Sequence, residues 1–540
     1  MRSVTACALV TLCLSAGVPA HGLSAQGSAR LGTVDFPTSG APNAQPLFVR
    51  GVLYLHSFEY DSAAKAFREA QRADPSFALA YWGEAMTYTH PVWFQQDLAA
   101  ARAVLARFGP DGNARSQRIA DARERRWFAT AEVLYGEGSK ERRDTLFAES
   151  MRLLARDYPK DVEAQAFYAL ALLGTTHGGR DIATYMRAAA IVEDVFRANP
   201  DHPGAAHYLI HSYDDPAHAP LGMRAARAYS RIAPGAAHAQ HMTSHIFVAA
   251  GLWDDVITAN VAAWETSSRR NGHYTQWLAY GYQQQGHFAE AWRYVTAVRS
   301  DAEQQRAMYA IQHYAVMLAQ YLSDSEDWTG HAAAVALDSA TVLTQTQEGE
   351  GGGPRLGAFA VMRSLAALKV KRPEIAERSL ANISRRCSAA RQRAVPGYVP
   401  GSAHICQVIE LTLRGALHHA AGRTDSAVTA LSAAADIEAA LPYEYGPPET
   451  VKPPRELLGE VLLAASRPAE ARRAFEFALA RTPNRSRAVL GLARACAALG
   501  DRQQAARWYA QFRANWARVP ATAAEAAEAE KYLAASETSR

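Results

Sequence analysis

Small and aromatic residues recur at helical spacing along most of the chain. Gly51 and Tyr54 share a face of one predicted helix, Ala63, Phe67 and Ala70 share a face of the next, and Pro75 closes the pair. Small residues let two helices approach, an aromatic ring fills the gap between them, and proline stops the second helix. Ala85 and Tyr88 open a further copy 34 residues on, and His56 and His90 are also 34 apart. Between about 92 and 160 the pattern loosens into longer predicted helices, roughly 114–135 and 141–156. Regular copies resume with a helix over 182–198 that ends at Pro200.

The next two copies carry the unusual chemistry. Pro200 and Pro234 are 34 residues apart, and each is followed by histidines seven and eleven positions later: His207 and His211, then His241 and His245. His238 and His273 stand at corresponding places just before the helices of the second and third copies get under way. At ~100° per residue, His207 and His211 leave the stripe of Ala206, Leu209, Ile210 and Tyr213, while His238, His241 and His245 fall on one face. Gly251-Leu252-Trp253 and Gly286-His287-Phe288 mark inter-helix turns 35 residues apart.

A second block of copies follows 348–357. That stretch, EGEGGGPRLG, lacks the Lys-Ser/Thr of a phosphate-binding loop and is read as a flexible connector or a lid. Gly415, Gly422 and Ala427 mark one later copy, Gly459, Ala471, Phe475, Ala478 and Pro483 another, and Gly500, Ala505 and Tyr509 a third. Between the first two, the prolines of PYEYGPPETVKPPRELLGE force an extended excursion, which in a helical array tends to lie on the binding face. The alanine-rich tail, 522–540, is predicted to be a terminal capping helix.

Alanine, leucine and arginine are frequent and long β-branched runs are absent, which favours helix. A formal charge of +4 over 540 residues, with no lysine/arginine block, argues against a nucleic-acid partner. Arg2 and the apolar ACALVTLCLSAGV read as a secretion signal with cleavage after Ala20 or Ala25. No later segment has enough uninterrupted apolar residues to span a bilayer. The expected organisation is a signal over 1–25, an array with a histidine-rich groove over 26–345, and a second array over 346–540. Beyond the signal three cysteines remain; Cys387 and Cys406 either pair or stay free thiols, and Cys496 reads as a small buried side chain.

The 34-residue period, with its glycines, alanines and prolines, resembles the tetratricopeptide-repeat family over most of 45–520, least so between 92 and 180. LHSFEYDSAAKAFREA, AYWGEAMTYTHPVW, HPGAAHYLIHSYDDP and HAQHMTSHIF are similar, more narrowly, to a group of exported bacterial proteins with such repeats. The resemblance implies an all-α solenoid in the periplasm or outside the cell. It also implies a concave groove, lined by the first helix of each repeat, that takes a peptide or partner protein.

Two function classes follow. One is a scaffold that binds a protein, peptide or small ligand in its groove, with Tyr280, Gln276, His90 and His56 as candidate ligand contacts. The other is a hydrolase or oxidase with one zinc, copper or iron ion held by His207, His211, His238, His241, His245 and His273. Asp214 would supply an oxygen ligand or hold an imidazole's second nitrogen. Hydrogen bonding without metal is the third reading of the cluster. HExxH and CxxC arrangements are missing, and no general base is identifiable. Trp82, Trp93 and Trp277 read as repeat packing, and His202 and His218 as solvated loop residues.

Overall fold

The computed structural model describes residues 30–267, 272–348, 354–393 and 400–537; the predicted signal lies outside them. Among the described residues there are 27 α-helices, and the only sheet pairs Thr89–His90 with Gln95–Gln96. Helix pairs follow the predicted period: Gln45–His56 with Tyr60–Ala73, Pro203–Tyr213 with Ala219–Ile232, Ala237–Ala249 with Trp253–Thr266, and Gly272–Gln284 with Phe288–Gln305. Later pairs are Pro454–Ala464 with Pro468–Arg481 and Ser486–Ala498 with Arg502–Asn515, and Ala524–Glu537 closes the array. The fold is an all-α solenoid.

Two expected elements differ. Helix Ala78–Met86 stops short of Tyr88, and the small hairpin follows it. The helix expected over 114–135 is two, Gly112–Gln117 and Ala122–Leu134. Asp111 and Asp121 explain the division: each carboxylate accepts from a backbone N–H two residues into a new helix, Ala114 and Glu124.

A shared packing device joins the pairs. The Phe67 ring lies between Gly51 and Gly83, where an added Cβ would fall 2.6 and 2.4 Å from it. Phe475 lies in the same way between Gly459 and Gly491, at 2.7 and 2.3 Å. Among the described residues three large apolar cores succeed one another, with a small fourth of Ala237, Ala263 and Tyr274, and the expected division near 345 falls within the second, which contains both Leu343 and Leu356. Cys387 and Cys406 form a disulfide, and Cys496 is a buried free thiol. Among the described residues no helix is long and apolar enough to cross a membrane.

The array also closes on itself. Asn484 Nδ2 donates to the Gly251 carbonyl at 2.8 Å, and the Trp253 indole N–H donates to the Asn484 carbonyl at 3.0 Å. Next to them Arg485, fully buried, bonds Asp324 at 2.5 Å and Glu456 at 2.8 Å. Late repeats thereby pack against the middle ones, and an open chamber lies between them.

Candidate metal centre

The first helices of the middle repeats face the axis of the solenoid, and every residue of Pro203–Tyr213 and Ala237–Ala249 is buried. Pro203 starts the first of these helices, and the His202 ring caps it by accepting from Ala205 N–H at 3.1 Å. Gly204 gives room for the neighbouring repeat, since a Cβ there would lie 2.3 Å from the His56 ring. The second helix receives a carboxylate at its N-terminus, where Glu59 accepts from His238 N–H at 3.0 Å.

His207, His211 and His238 converge, with ligand atoms all within 4.8 Å of one another. The His207 Nδ1–H donates to the His56 carbonyl at 2.6 Å, so its Nε2 carries the lone pair. His238 Nδ1 is 3.4 Å from the Tyr274 hydroxyl, and His211 Nδ1 is 3.6 Å from Asp214 Oδ2. The Nε2 atoms of all three rings are buried and have no hydrogen-bond partner. Phe58, whose backbone sits in the left-handed region at φ 54°, packs its ring 4.2 Å from that of His207 and 5.6 Å from that of His238.

A second trio, His241, His245 and His273, lies alongside with the same mutual spacing of ligand atoms. His211 and His245 rings are 5.5 Å apart, and Asp214 lies behind both. Asp214 Oδ2 accepts from His245 Nδ1–H at 3.1 Å, while its Oδ1 takes Arg180 at 2.6 Å. The carboxylate thus bonds one ring nitrogen of His245 and lies beside His211, and its ligand atom is also within 4.8 Å of theirs.

Burial, reinforced by the neighbouring imidazoles, pushes His207, His238 and His273 well below the usual histidine range. His241 is lowered in the same way, and His245 is lowered to about 4 by burial despite Asp214. Burial would raise the Asp214 carboxyl, but Arg180 and the imidazole hydrogen bonds hold it well below the usual range. Lowering of this kind favours neutral imidazole, the ligating form, at His207, His238, His241, His245 and His273.

A cavity of about 1420 Å³ opens beside the trios, and one ring of each, His238 and His273, lies in its wall. Gln276, His90, Trp93 and Trp277 also line it, as do Tyr445 and Glu449 of the 441–453 excursion. Tyr445 packs 4.8 Å from the His245 ring, so the excursion lies over the histidine helices.

Two expected ligand contacts do not reach the cavity. Tyr280 is buried against Arg485, whose Nη1 donates to its hydroxyl at 3.2 Å. His56 is buried in a network in which its Nε2 donates to Glu163 at 2.7 Å and its Nδ1 accepts from the Tyr208 hydroxyl at 2.8 Å. His202, expected in solvent, joins the same network by donating to Glu163 at 3.0 Å, whereas His218 is partly exposed and bonds Asp215. Every ring nitrogen of His56 and His202 is occupied, so this trio is a hydrogen-bonded support and not a ligand set. Arg180, Asn260 and Tyr274 were missed in the sequence, where a lone polar residue gives no sign of its distant partner.

The family comparison agrees with the architecture. Residues 462–515 match the tetratricopeptide repeat family. The matched span takes in the helices Pro468–Arg481, Ser486–Ala498 and Arg502–Asn515. Among solved structures, the human IFIT1 dimer with m7Gppp-AAAA is 11% identical, covering 93% of this chain and 91% of that one, at a TM-score of 0.33. The crystal structure of yeast Tom70 is 12% identical, covering 92% of this chain and 96% of that one, at 0.29. The P58(IPK) TPR domain is 12% identical, covering 92% of this chain and 99% of that one, at 0.21. No curated protein sequence matches.

Proposed function

We propose that this solenoid is an exported transition-metal protein whose central chamber receives a ligand beside the metal. One observation carries the reading: the Nε2 atoms of His207, His211 and His238 are buried without a partner, on rings whose ligand atoms lie within 4.8 Å of one another. A buried polar atom without a partner costs about 1–3 kcal/mol, and one metal ion would satisfy all three. Imidazole suits zinc, copper, iron and nickel. The chamber adds aromatic rings, Trp93, Tyr274 and Trp277, and the cations Arg355 and Arg481. That lining, which also carries Glu438, Glu444 and Glu449, fits an aromatic group, at the end of a peptide or on a small molecule.

Export rests on the apolar leader and is supported by the Cys387–Cys406 bridge, since disulfides persist in oxidising compartments. A second reading, a metal-dependent hydrolase or oxidase, draws on the open side of the site, where His238 meets the cavity. Three histidines with a free position are the usual provision for metal-bound substrate or water.

The test is the metal content of the mature chain, purified without a histidine tag, beside the variant H207A/H241A. We expect bound transition metal in the wild type and its loss in the variant, with helicity unchanged. A wild type that takes up no metal, even after incubation with zinc and copper salts, refutes the reading.

A further inference from the structure

We infer that the chamber wall holds two metal ions side by side, the second bound by His241, His245 and His273; this rests on the metal-centre reading above. The proton bookkeeping at the second trio is the strongest argument. His241 Nδ1 is 2.7 Å from Asn260 Oδ1, and the Asn260 amide is oriented by its own Nδ2, which donates to the Val256 carbonyl at 2.8 Å. Oδ1 therefore faces the ring, and His241 Nδ1 carries a proton. His245 Nδ1 carries one as well, because it donates to the ionised Asp214 carboxylate at 3.1 Å. Both Nε2 atoms are then left with lone pairs, and they face each other at 3.3 Å.

Two lone pairs at that distance repel unless a cation lies between them. The separation also fits a shared ion: with metal–nitrogen bonds of ~2.0–2.1 Å, tetrahedral geometry places two ligand nitrogens about 3.3–3.4 Å apart. His273 completes the trio from the next repeat, with its ring 4.5 Å from that of His241. His241 and His245 are one helical turn apart, as are His207 and His211. Each repeat thus supplies one chelating pair, and the following repeat supplies the third ring.

One ion cannot serve all six rings. The ligand atoms fall into two trios, each within 4.8 Å internally, and do not form one group of six. Asp214 couples the two positions: it bonds His245 and lies beside His211, and Arg180 holds it in place. Each trio shows one ring to the same cavity, His238 from the first and His273 from the second. Both positions are therefore open to a ligand in the chamber.

The experiment is cobalt(II) titration of the chelator-treated, untagged chain, with bound metal counted by mass spectrometry and site geometry read from visible absorption. We expect two cobalt ions per wild-type chain, one in H241Q/H245Q and one in H207Q/H211Q. Saturation of the wild type at one ion overturns the pair but leaves the single centre standing. No binding at all overturns both. The wild-type count decides without any variant, and anomalous scattering from cobalt-loaded crystals gives the number and separation of ions should a variant fail to fold.

Discussion

Three histidines of the cluster are set by their second nitrogen. A backbone carbonyl fixes His207, a side-chain amide fixes His241, and a carboxylate fixes His245. These partners come from residues 56, 260 and 214, so the tautomers that create the ligand set are decided by residues outside the helix that carries each ring. Keeping these rings neutral has a cost at low pH. His207, His238, His241, His245 and His273 all have folded-state values below 6.5, whereas the unfolded chain protonates near 6.5. Between about pH 6.5 and 4 the unfolded state binds more protons, so stability falls as pH falls. Each such histidine contributes about 1.4 kcal/mol per pH unit while only its unfolded form is protonated. For the metal-free protein we expect the urea midpoint to drop steeply between pH 7 and 5 and to change little between pH 7 and 8. A midpoint that is flat from pH 7 to 5 would show that these rings are solvated.

Helix packing depends on the absence of side chains at a few positions. At Gly83 a Cβ would meet the Phe67 ring at 2.4 Å in a fully buried setting. Over-packing costs about 1–3 kcal/mol, which exceeds or offsets the roughly 1 kcal/mol that alanine gains over glycine in a helix. Gly83→Ala is therefore expected to lower stability in chemical denaturation, and F67L in the same chain is expected to restore part of the loss. Gly178→Ala, with nothing within 4 Å of the added carbon, should be neutral. The period of glycines and aromatics was legible in the sequence because this packing is local and repeats. The split of the 114–135 region was not, because Asp121 caps a helix in the middle of an otherwise continuous helical pattern.

A buried cation adds to the Asn484 hydrogen bonds that close the solenoid. Arg485 joins Asp324 and Glu456, which are 161 and 29 residues away, and touches Tyr280 at a separation of 205. Removing one member of a buried ion pair costs about 3–5 kcal/mol because the others are left charged and unpaired. R485M is expected to split the denaturation of the chain into two transitions, with the C-terminal repeats melting first. Triple replacement R485M/D324N/E456Q should recover part of the loss; failure to recover any would mean the cation acts through packing alone. Removing the disulfide with C387S/C406S should cost about 3 kcal/mol by the loop-closure estimate, measured against the wild type with and without reductant.

The sequence by itself determined the helix period, the paired repeats and the histidine helices, because each depends on neighbours within about one repeat. It also placed His207, His211, His238, His241, His245 and His273 in one candidate set, since a 34-residue step returns the same face to the axis. Only the tertiary structure sorted these six into two trios and put Asp214 behind the rings. It likewise withdrew His56 and Tyr280 from the chamber into buried networks. Those outcomes depend on Glu163, Asn260, Arg180 and Arg485, whose partners lie 19 to 205 residues away. Superhelical closure decides which side chains meet at such separations, and helical periodicity along the chain carries no trace of it.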